Sequence, residues 1–410
     1  MNHYEKMCKS KTMSRLWRVV KNKNIQILIA YGGLRSIVSM GSGLFAFYVL
    51  SILLVPPRIL GIIISLGFLA SALGSILGGY LTDKMGRRHT FVVSSILAGL
   101  GWITLSLSQD WTQVAFSYGV INGMMVLAFP AHTAVVSDSL PEDVGGGLGM
   151  LNTVISMVST IGAVLGAATA KYLGFRFLFV IISFPWFFSV YPILRIKERR
   201  SEETEKPFQL RSFNFLRIVR ESPSLFILSL SVLLVSVGGY VASFYPDYVN
   251  KAFNVDALQI GFFDSIYFAI WAITNYPLGL LSDKVGRKKV IVLGFILMGL
   301  AWFFFPIPRS LFWLFVLYAI YSLGNSMGFY TTALAMDVSS EQKKGAAVGI
   351  FNFFMYVGAF LSGILGGILW ETMGDLTSFK IAFITFIVVA LIINFLVKQA
   401  APNRKKKLEA

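Results

Sequence analysis

Apolar runs of about 20 residues recur down the whole chain, and each is long enough to cross a hydrocarbon core of about 30 Å at 1.5 Å per residue. The runs are continuous rather than alternating residue by residue, so they predict helices and not barrel strands. Spans are predicted at 25–54, 60–82, 90–109, 112–136, 145–170 and 174–195, and again at 224–248, 258–281, 289–307, 310–336, 345–370 and 378–398. The predicted fold class is therefore an all-α membrane protein with twelve transmembrane helices and both termini on one side.

Composition agrees: 56% of the residues are hydrophobic and 14% charged, a surface too apolar for a soluble domain. The formal net charge of +16 would point to nucleic acid in a soluble protein, but here its placement carries the meaning. Of 36 Lys and Arg residues, 29 fall on the side of the termini, six on the other side, and Arg35 lies within a span. That bias predicts cell-membrane insertion with cytoplasmic termini. The predicted organisation is a basic N-terminal arm at 1–24, helical halves at 25–195 and 223–398, a charged cytoplasmic linker at 196–222 and a basic tail at 399–410. The first apolar stretch is too long for a signal-peptide core and is read as a retained helix. The arm, with Trp17 between basic residues, is expected to rest on the anionic leaflet. Cys8, the lone cysteine, excludes an internal disulfide, and nothing has metal-ligand spacing, so neither metal nor cofactor is expected.

Sliding the chain by 200 residues aligns Gly79-Tyr-Leu-Thr-Asp83-Lys84-Met-Gly86-Arg87-Arg88 with Gly279-Leu-Leu-Ser-Asp283-Lys284-Val-Gly286-Arg287-Lys288, identical at six positions. The same register pairs Trp102 with Trp302, Tyr118 with Tyr318, Phe129 with Phe329, Gly149 with Gly349, Asn152 with Asn352 and Gly166 with Gly366. Charged loop residues in register exclude chance similarity between apolar helices, so the halves are structural repeats. Within the motif, Gly79 is expected to allow close helix packing and Gly86 a turn at positive φ. Asp83 is read as a cap for a neighbouring helix, with Lys84, Arg87 and Arg88 facing headgroups.

This repeated motif, the helix number and the central linker resemble the major facilitator superfamily, twelve-helix type, and within it the drug/proton antiporter branch. The resemblance implies two pseudo-symmetric six-helix bundles that rock about a central cavity lined by the first, fourth, seventh and tenth helices. It also implies gating clusters of Asp83, Arg87 and Asp138 in one half and Asp283, Arg287 and Asp337 in the other, forming a cytoplasmic latch in the outward-facing state. Two features depart from the branch. No Arg or Lys lies between Trp111 and Asp138, where proton-driven members often carry an arginine. Gly162-Ala-Val-Leu-Gly166-Ala-Ala lacks the proline of the exporters' fifth helix.

Arg35 is deep within a span and shares one predicted helical face with Tyr31, Ser39 and Ser42. An intramembrane arginine needs water or a partner, so it is read as an anion-binding or gating residue, against a structural bond to helix ends. Asp264 shares a stripe with Phe268, Trp271 and Asn275 and is read, with Arg35, as a candidate for proton coupling, against a wet position in the outer cavity. Tyr31, Arg35, Ser39, Asp264 and Trp271 are assigned to the substrate cavity, and further stripes add residues to it. They are Tyr118, Asn122, Met125, Phe129 and His132; Ser236, Tyr240, Ser243 and Asp247; and Tyr318, Ser322, Asn325, Phe329 and Thr332. His132 is read as structural.

The favoured function is secondary active transport of a small lipophilic or amphipathic solute by alternating access, with proton-coupled efflux as its specific form. The alternatives are an organic-anion or sugar-acid carrier using Arg35, and a non-transporting receptor or scaffold on the same fold. No Gly-Lys-Ser/Thr nucleotide motif occurs, and no enzyme activity is expected. Expected partners are the small-molecule substrate, protons and membrane lipids, with no nucleic acid, and the chain is expected to act as a monomer.

Overall fold

The computed structural model describes residues 21–140, 144–196, 222–339 and 344–398, and all regular secondary structure among them is helical. In chain order the helices are α1 Lys23–Ser36, α2 Ser42–Phe47 with a π-helical extension Tyr48–Ile52, α3 Pro57–Met85, α4 Arg87–Leu107, α5 Trp111–Leu127, α6 Phe129–Ser139, α7 Val144–Leu173, α8 Phe175–Phe188 and α9 Val190–Ile193. The second half gives α10 Pro223–Gly238, α11 Val241–Phe253, α12 Ala257–Val285, α13 Arg287–Phe304, α14 Leu311–Gly328, α15 Thr331–Asp337 and α16 Lys344–Leu396. Among the described residues, nine helical stretches are long and apolar enough to cross a membrane, and Ser42–Ile52 is a shorter apolar helix. The arm with Cys8 and Trp17, most of the linker and the tail lie outside the described residues.

Local chemistry sets the helix starts. Asn22 caps α1 through the Asn24 and Ile25 amides, Asp110 caps α5 through those of Thr112 and Gln113, and Asp256 forms a reciprocal capping box with Gln259. Pro57 and Pro223 open α3 and α10, where a missing N–H is harmless. The turns follow the 200-residue register. Among the described residues, positive φ occurs at Leu54 and Asn254, at Gly86 and Gly286, and at Gly174 and Gly374. Gly374 divides α16 into two helices, as Gly174 separates α7 from α8.

Several predicted spans are not continuous. The first is interrupted at residues 37–41, the fourth at Ala128, the seventh at Gly239–Tyr240 and the tenth at Phe329–Tyr330. Pro130 at the start of α6 and the Gly238-Gly239 pair supply the local cause in two of them, through a missing amide donor and backbone freedom. The predicted sixth span also breaks, at Ser189, after Pro185.

The two halves are joined toward the end that carries the turns at Gly174 and Gly374, opposite the loop motifs. There Ser65 Oγ donates to the Phe360 carbonyl at 2.6 Å and Ser265 Oγ to the Thr160 carbonyl at 2.9 Å. A Cβ on Gly61 would lie 2.2 Å from the Gly363 oxygen, and one on Gly261 2.0 Å from the Ala167 Cβ, so α3 and α12 each press onto a partner helix of the other half. Ion pairs Arg58–Glu371 (3.6 Å) and Lys171–Asp256 (2.8 Å) close the rim. Asn250 Nδ2 also donates to Ser51 Oγ at 3.0 Å.

Candidate functional site

The break in the first span organises the middle of the molecule. Ser39 lies within it: its N–H donates to the Gly162 carbonyl at 3.1 Å and its hydroxyl to the Ser159 carbonyl at 3.5 Å. Cβ atoms on Gly162 and Gly166 would fall 1.9 Å from the Ser36 oxygen and 2.1 Å from the Ser39 oxygen, so only glycines give the unwound backbone its seat on α7. The predicted common face of Tyr31, Arg35, Ser39 and Ser42 therefore does not exist, because the helix that would align them stops at Ser36.

Arg35 occupies the last turn of α1, where a cation complements the partial negative charge of a helix end. Its guanidinium carbon sits 3.5 Å from the centroid of Trp186 and it donates to the Tyr31 hydroxyl. Tyr31 is buried against Phe91 and receives the Ser95 hydroxyl at 3.4 Å, so it packs rather than lining an open wall. Among the described residues no carboxylate pairs with Arg35.

Asp264 is 3% exposed and lies in the seam between the halves, not on an open cavity surface as predicted. Its two carboxylate oxygens accept from the Gly43 N–H at 3.1 Å and the Leu44 N–H at 3.0 Å, the first turn of α2. A Cβ on Gly41 would lie 2.2 Å from the Asp264 carboxyl carbon, and one on Gly43 2.4 Å from the Tyr245 hydroxyl oxygen. Arg35 and Asp264, whose equivalents in the other half are the apolar Val235 and Ile64, thus stand at the two ends of the same break.

The remaining cavity candidates divide. Phe129 and Phe329, equivalent in the two halves and adjacent to the breaks in the fourth and tenth spans, are 65% and 50% exposed. Trp271 packs edge-on against Phe329, and Asn325 accepts the Tyr267 hydroxyl at 3.0 Å. Asn122 donates to the Tyr118 carbonyl, while Tyr118 stacks on Phe45 of α2 at 4.2 Å. Ser236 is half-buried, and a Cβ on Gly358 would lie 2.8 Å from its own Cβ. Tyr240 and Tyr318 are corrections: both are buried, Tyr240 against Phe244 and Tyr318 among Tyr245, Phe263, Trp302 and Tyr321. Helical spacing could not separate an aromatic that faces the bundle core from one that faces the cavity.

At the other end the motif forms charge clusters inside each half. Arg87 bonds Asp138. Arg287 reaches Asp337 at 2.7 Å, Asp283 at 3.2 Å and the Ala333 carbonyl at 3.1 Å. Asp83 has no bonding partner among the described residues, unlike its equivalent Asp283. Gly86 and Gly286 take φ of 88° and 103°. Gly79 faces open space, and the close approach belongs to Gly78, whose Cβ would lie 2.2 Å from the Leu127 oxygen. Lys84 reaches the Tyr80 hydroxyl, Lys288 the Val397 carbonyl, and Lys284 is exposed.

A bundle of apolar helices, repeated at a fixed register and broken where its halves meet, defines a membrane transporter fold. The sequence model of the Major Facilitator Superfamily matches residues 28–248 and 226–410, and the chain belongs to that family. It is 27% identical to an uncharacterized MFS-type transporter of Methanocaldococcus jannaschii, over 78% of this chain and 81% of that protein. Among solved structures, it superposes on the nucleoside transporter NupG with a TM-score of 0.75 at 13% identity, covering 91% of this chain and 98% of that one. A bacterial homolog of the human lysosomal transporter Spinster, in an inward-facing and occupied conformation, gives 0.70 at 15% identity, covering 95% and 99%. The protein is thus a non-enzymatic, multi-pass membrane transporter with a small-molecule substrate.

Proposed function

We propose that this transporter moves a small lipophilic or amphipathic solute by alternating access, with twelve crossings in two six-helix bundles and cytoplasmic termini. Counting α16 as two crossings at Gly374, and the broken first span as one, supports the twelve. The observation that carries the reading is the placement of the seam: Ser65, Ser265, Gly61 and Gly261 join the halves at the end away from the motifs. Such a seam belongs to a carrier closed on one side and open on the other, and the positive-inside bias makes the closed side the outer one. The Arg87–Asp138 and Arg287–Asp337 clusters then hold the inner ends of each bundle rigid, ready to meet when the outer end opens. The exposed pair Phe129 and Phe329 favours an apolar or amphipathic solute over a sugar.

A second reading, an organic-anion carrier, is favoured by one observation: Arg35 stacks on Trp186 with no carboxylate partner among the described residues. Efflux driven by protons, as in the drug/proton antiporter branch, is the specific form proposed for the first reading, with Asp264 as the acidic group. A thermal-shift screen of the purified protein against lipophilic amines, sugars and organic acids at two pH values, followed by flux in proteoliposomes, separates these readings. Stabilisation by lipophilic compounds that are also transported supports the first. Stabilisation only by organic acids, abolished in Arg35→Ala, supports the second. Ligands that stabilise the protein but never cross the membrane make it a receptor or scaffold.

A further inference from the structure

The seam is nearly symmetric. Ser65 and Ser265, Phe360 and Thr160, and Gly61 and Gly261 all exchange roles under the 200-residue register. Asp264 breaks that symmetry. Its equivalent in the first half is Ile64, and the equivalents of Gly41 and Gly43 are Val241 and Ser243, inside the helix Val241–Phe253. One side of the pseudo-twofold therefore carries an apolar isoleucine at this position, and the other a carboxylate from the second half bound to backbone amides of the first.

Two amides donating to two different carboxylate oxygens favour the ionised group, because the hydroxyl oxygen of a carboxylic acid is the poorer acceptor. The amides belong to the first turn of a helix restarted inside the membrane, where the leading N–H groups have no intrahelical partner. The bond is made across the seam, so it can persist only while the outer ends are together. The ionisable groups that face Asp264 are the phenols of Tyr245 on α11 and Tyr318 on α14; α2 supplies only backbone amides. Lys171 of α7 is engaged with Asp256 at the rim, and no cation pairs with Asp264 among the described residues.

We infer that Asp264 is an exchangeable cross-half helix cap: it binds the Gly43 and Leu44 amides when the outer seam is shut and binds a proton when the seam opens. Separation removes both amides and leaves the carboxylate only the Tyr245 and Tyr318 phenols of its own half, so it takes a proton from the outer side. Closure demands the charged acceptor again, and the proton leaves toward the side then open. Each full cycle thus carries one proton inward, which rests on the alternating-access reading above and gives it a coupling site. Gly41 is the fitting residue, since any side chain there displaces the carboxylate.

The test uses the full chain with Cys8→Ser, spin-labelled through Leu54→Cys and Asn254→Cys, in lipid nanodiscs, reading the distance between outer turns of the two halves. At neutral pH the short-distance population is expected to dominate, and acidification toward pH 5 is expected to raise the long-distance population severalfold. Asp264→Asn, which removes the charge and the exchangeable proton and sets an NH2 where one backbone N–H now donates, and Gly41→Ala are each expected to show the long distance at every pH and to lose the acid response. The wild-type acid response tests the inference even where a variant fails to fold. A wild-type distribution indifferent to pH, or variants matching wild type in both distance and acid response, overturns it. If the distances behave as expected but proteoliposomes show no proton movement with solute, the cap stands and the proton-coupled reading fails.

Discussion

Ser65 and Ser265, equivalent residues of the two halves, each donate a hydroxyl across the molecule, to Phe360 and Thr160, which are themselves equivalent. Interhelical hydrogen bonds in membranes are worth about 0.6 kcal/mol on average, so the pair positions the seam more than it glues it. Ser65→Ala with Ser265→Ala should lower the melting temperature only slightly, while shifting the outer-end distance distribution measurably toward open. A large loss of folded protein would show that the hydroxyls hold the halves' own structure.

The close approach at Gly61 and Gly261 is less forgiving. Even the Cβ of a side chain at Gly61 would lie 2.2 Å from the Gly363 oxygen, and at Gly261 2.0 Å from the Ala167 Cβ, so no rotamer relieves the clash. Gly61→Leu should leave the protein folded and monodisperse in detergent, abolish transport, and make outer-seam cysteines reactive to a membrane-impermeant thiol reagent at least tenfold faster. Unchanged reactivity would mean that the seam is not a moving contact.

The motif clusters give a charge-swap test. Arg87 and Asp138 are about a third exposed or less, and an exposed pair contributes about 0.2–1 kcal/mol to stability. Arg87→Asp alone should therefore barely change the melting temperature but cut transport by an order of magnitude, and Arg87→Asp with Asp138→Arg should restore much of it. Asp83→Asn should have the weaker effect, since Asp83 has no bonded partner in this conformation; an effect equal to that of Asp138→Asn would place Asp83 in the latch after all.

At the rim, Asp256 titrates outside the membrane-spanning segments. Partial burial pushes its carboxyl upward, but Lys171 and the Gln259 and Leu258 amides outweigh this and hold it below the ordinary carboxylate range. A depressed value in the folded state means that the stabilisation is present above the unfolded pKa of about 3.9 and is lost as pH falls through the lower folded value. Any acid opening near pH 5 is therefore not due to this pair. Asp256→Asn, which can still cap α12, should leave the distance response near pH 5 intact; its loss would implicate the rim.

Much of this was legible in the sequence. The 200-residue register located the motif turns, and it also contained Gly61 with Gly261 and Ser65 with Ser265, the identical pairs that make the seam. The breaks were harder to read. Residues 37–41 are as apolar as the helix around them, and their unwinding depends on Gly162, Gly166 and Asp264, all distant in sequence. Helical spacing puts Tyr31, Tyr240 and Tyr318 on cavity stripes because it gives a face but not which neighbour that face meets. Asp264 was found as an unusual charge, and its environment, two amides from the other half, is a tertiary fact that no local pattern encodes.

Alternating access requires the outer seam to open once in every transport cycle. Cysteines at Arg58 and Glu371, an exposed rim pair, can be bridged by a short bifunctional thiol reagent in the Cys8→Ser background without wedging the seam. Flux of a solute found in the screen should then fall to background in the bridged protein and return on cleavage of the linker, while thermal stabilisation by that solute persists. Undiminished flux through fully bridged protein would contradict alternating access across this seam.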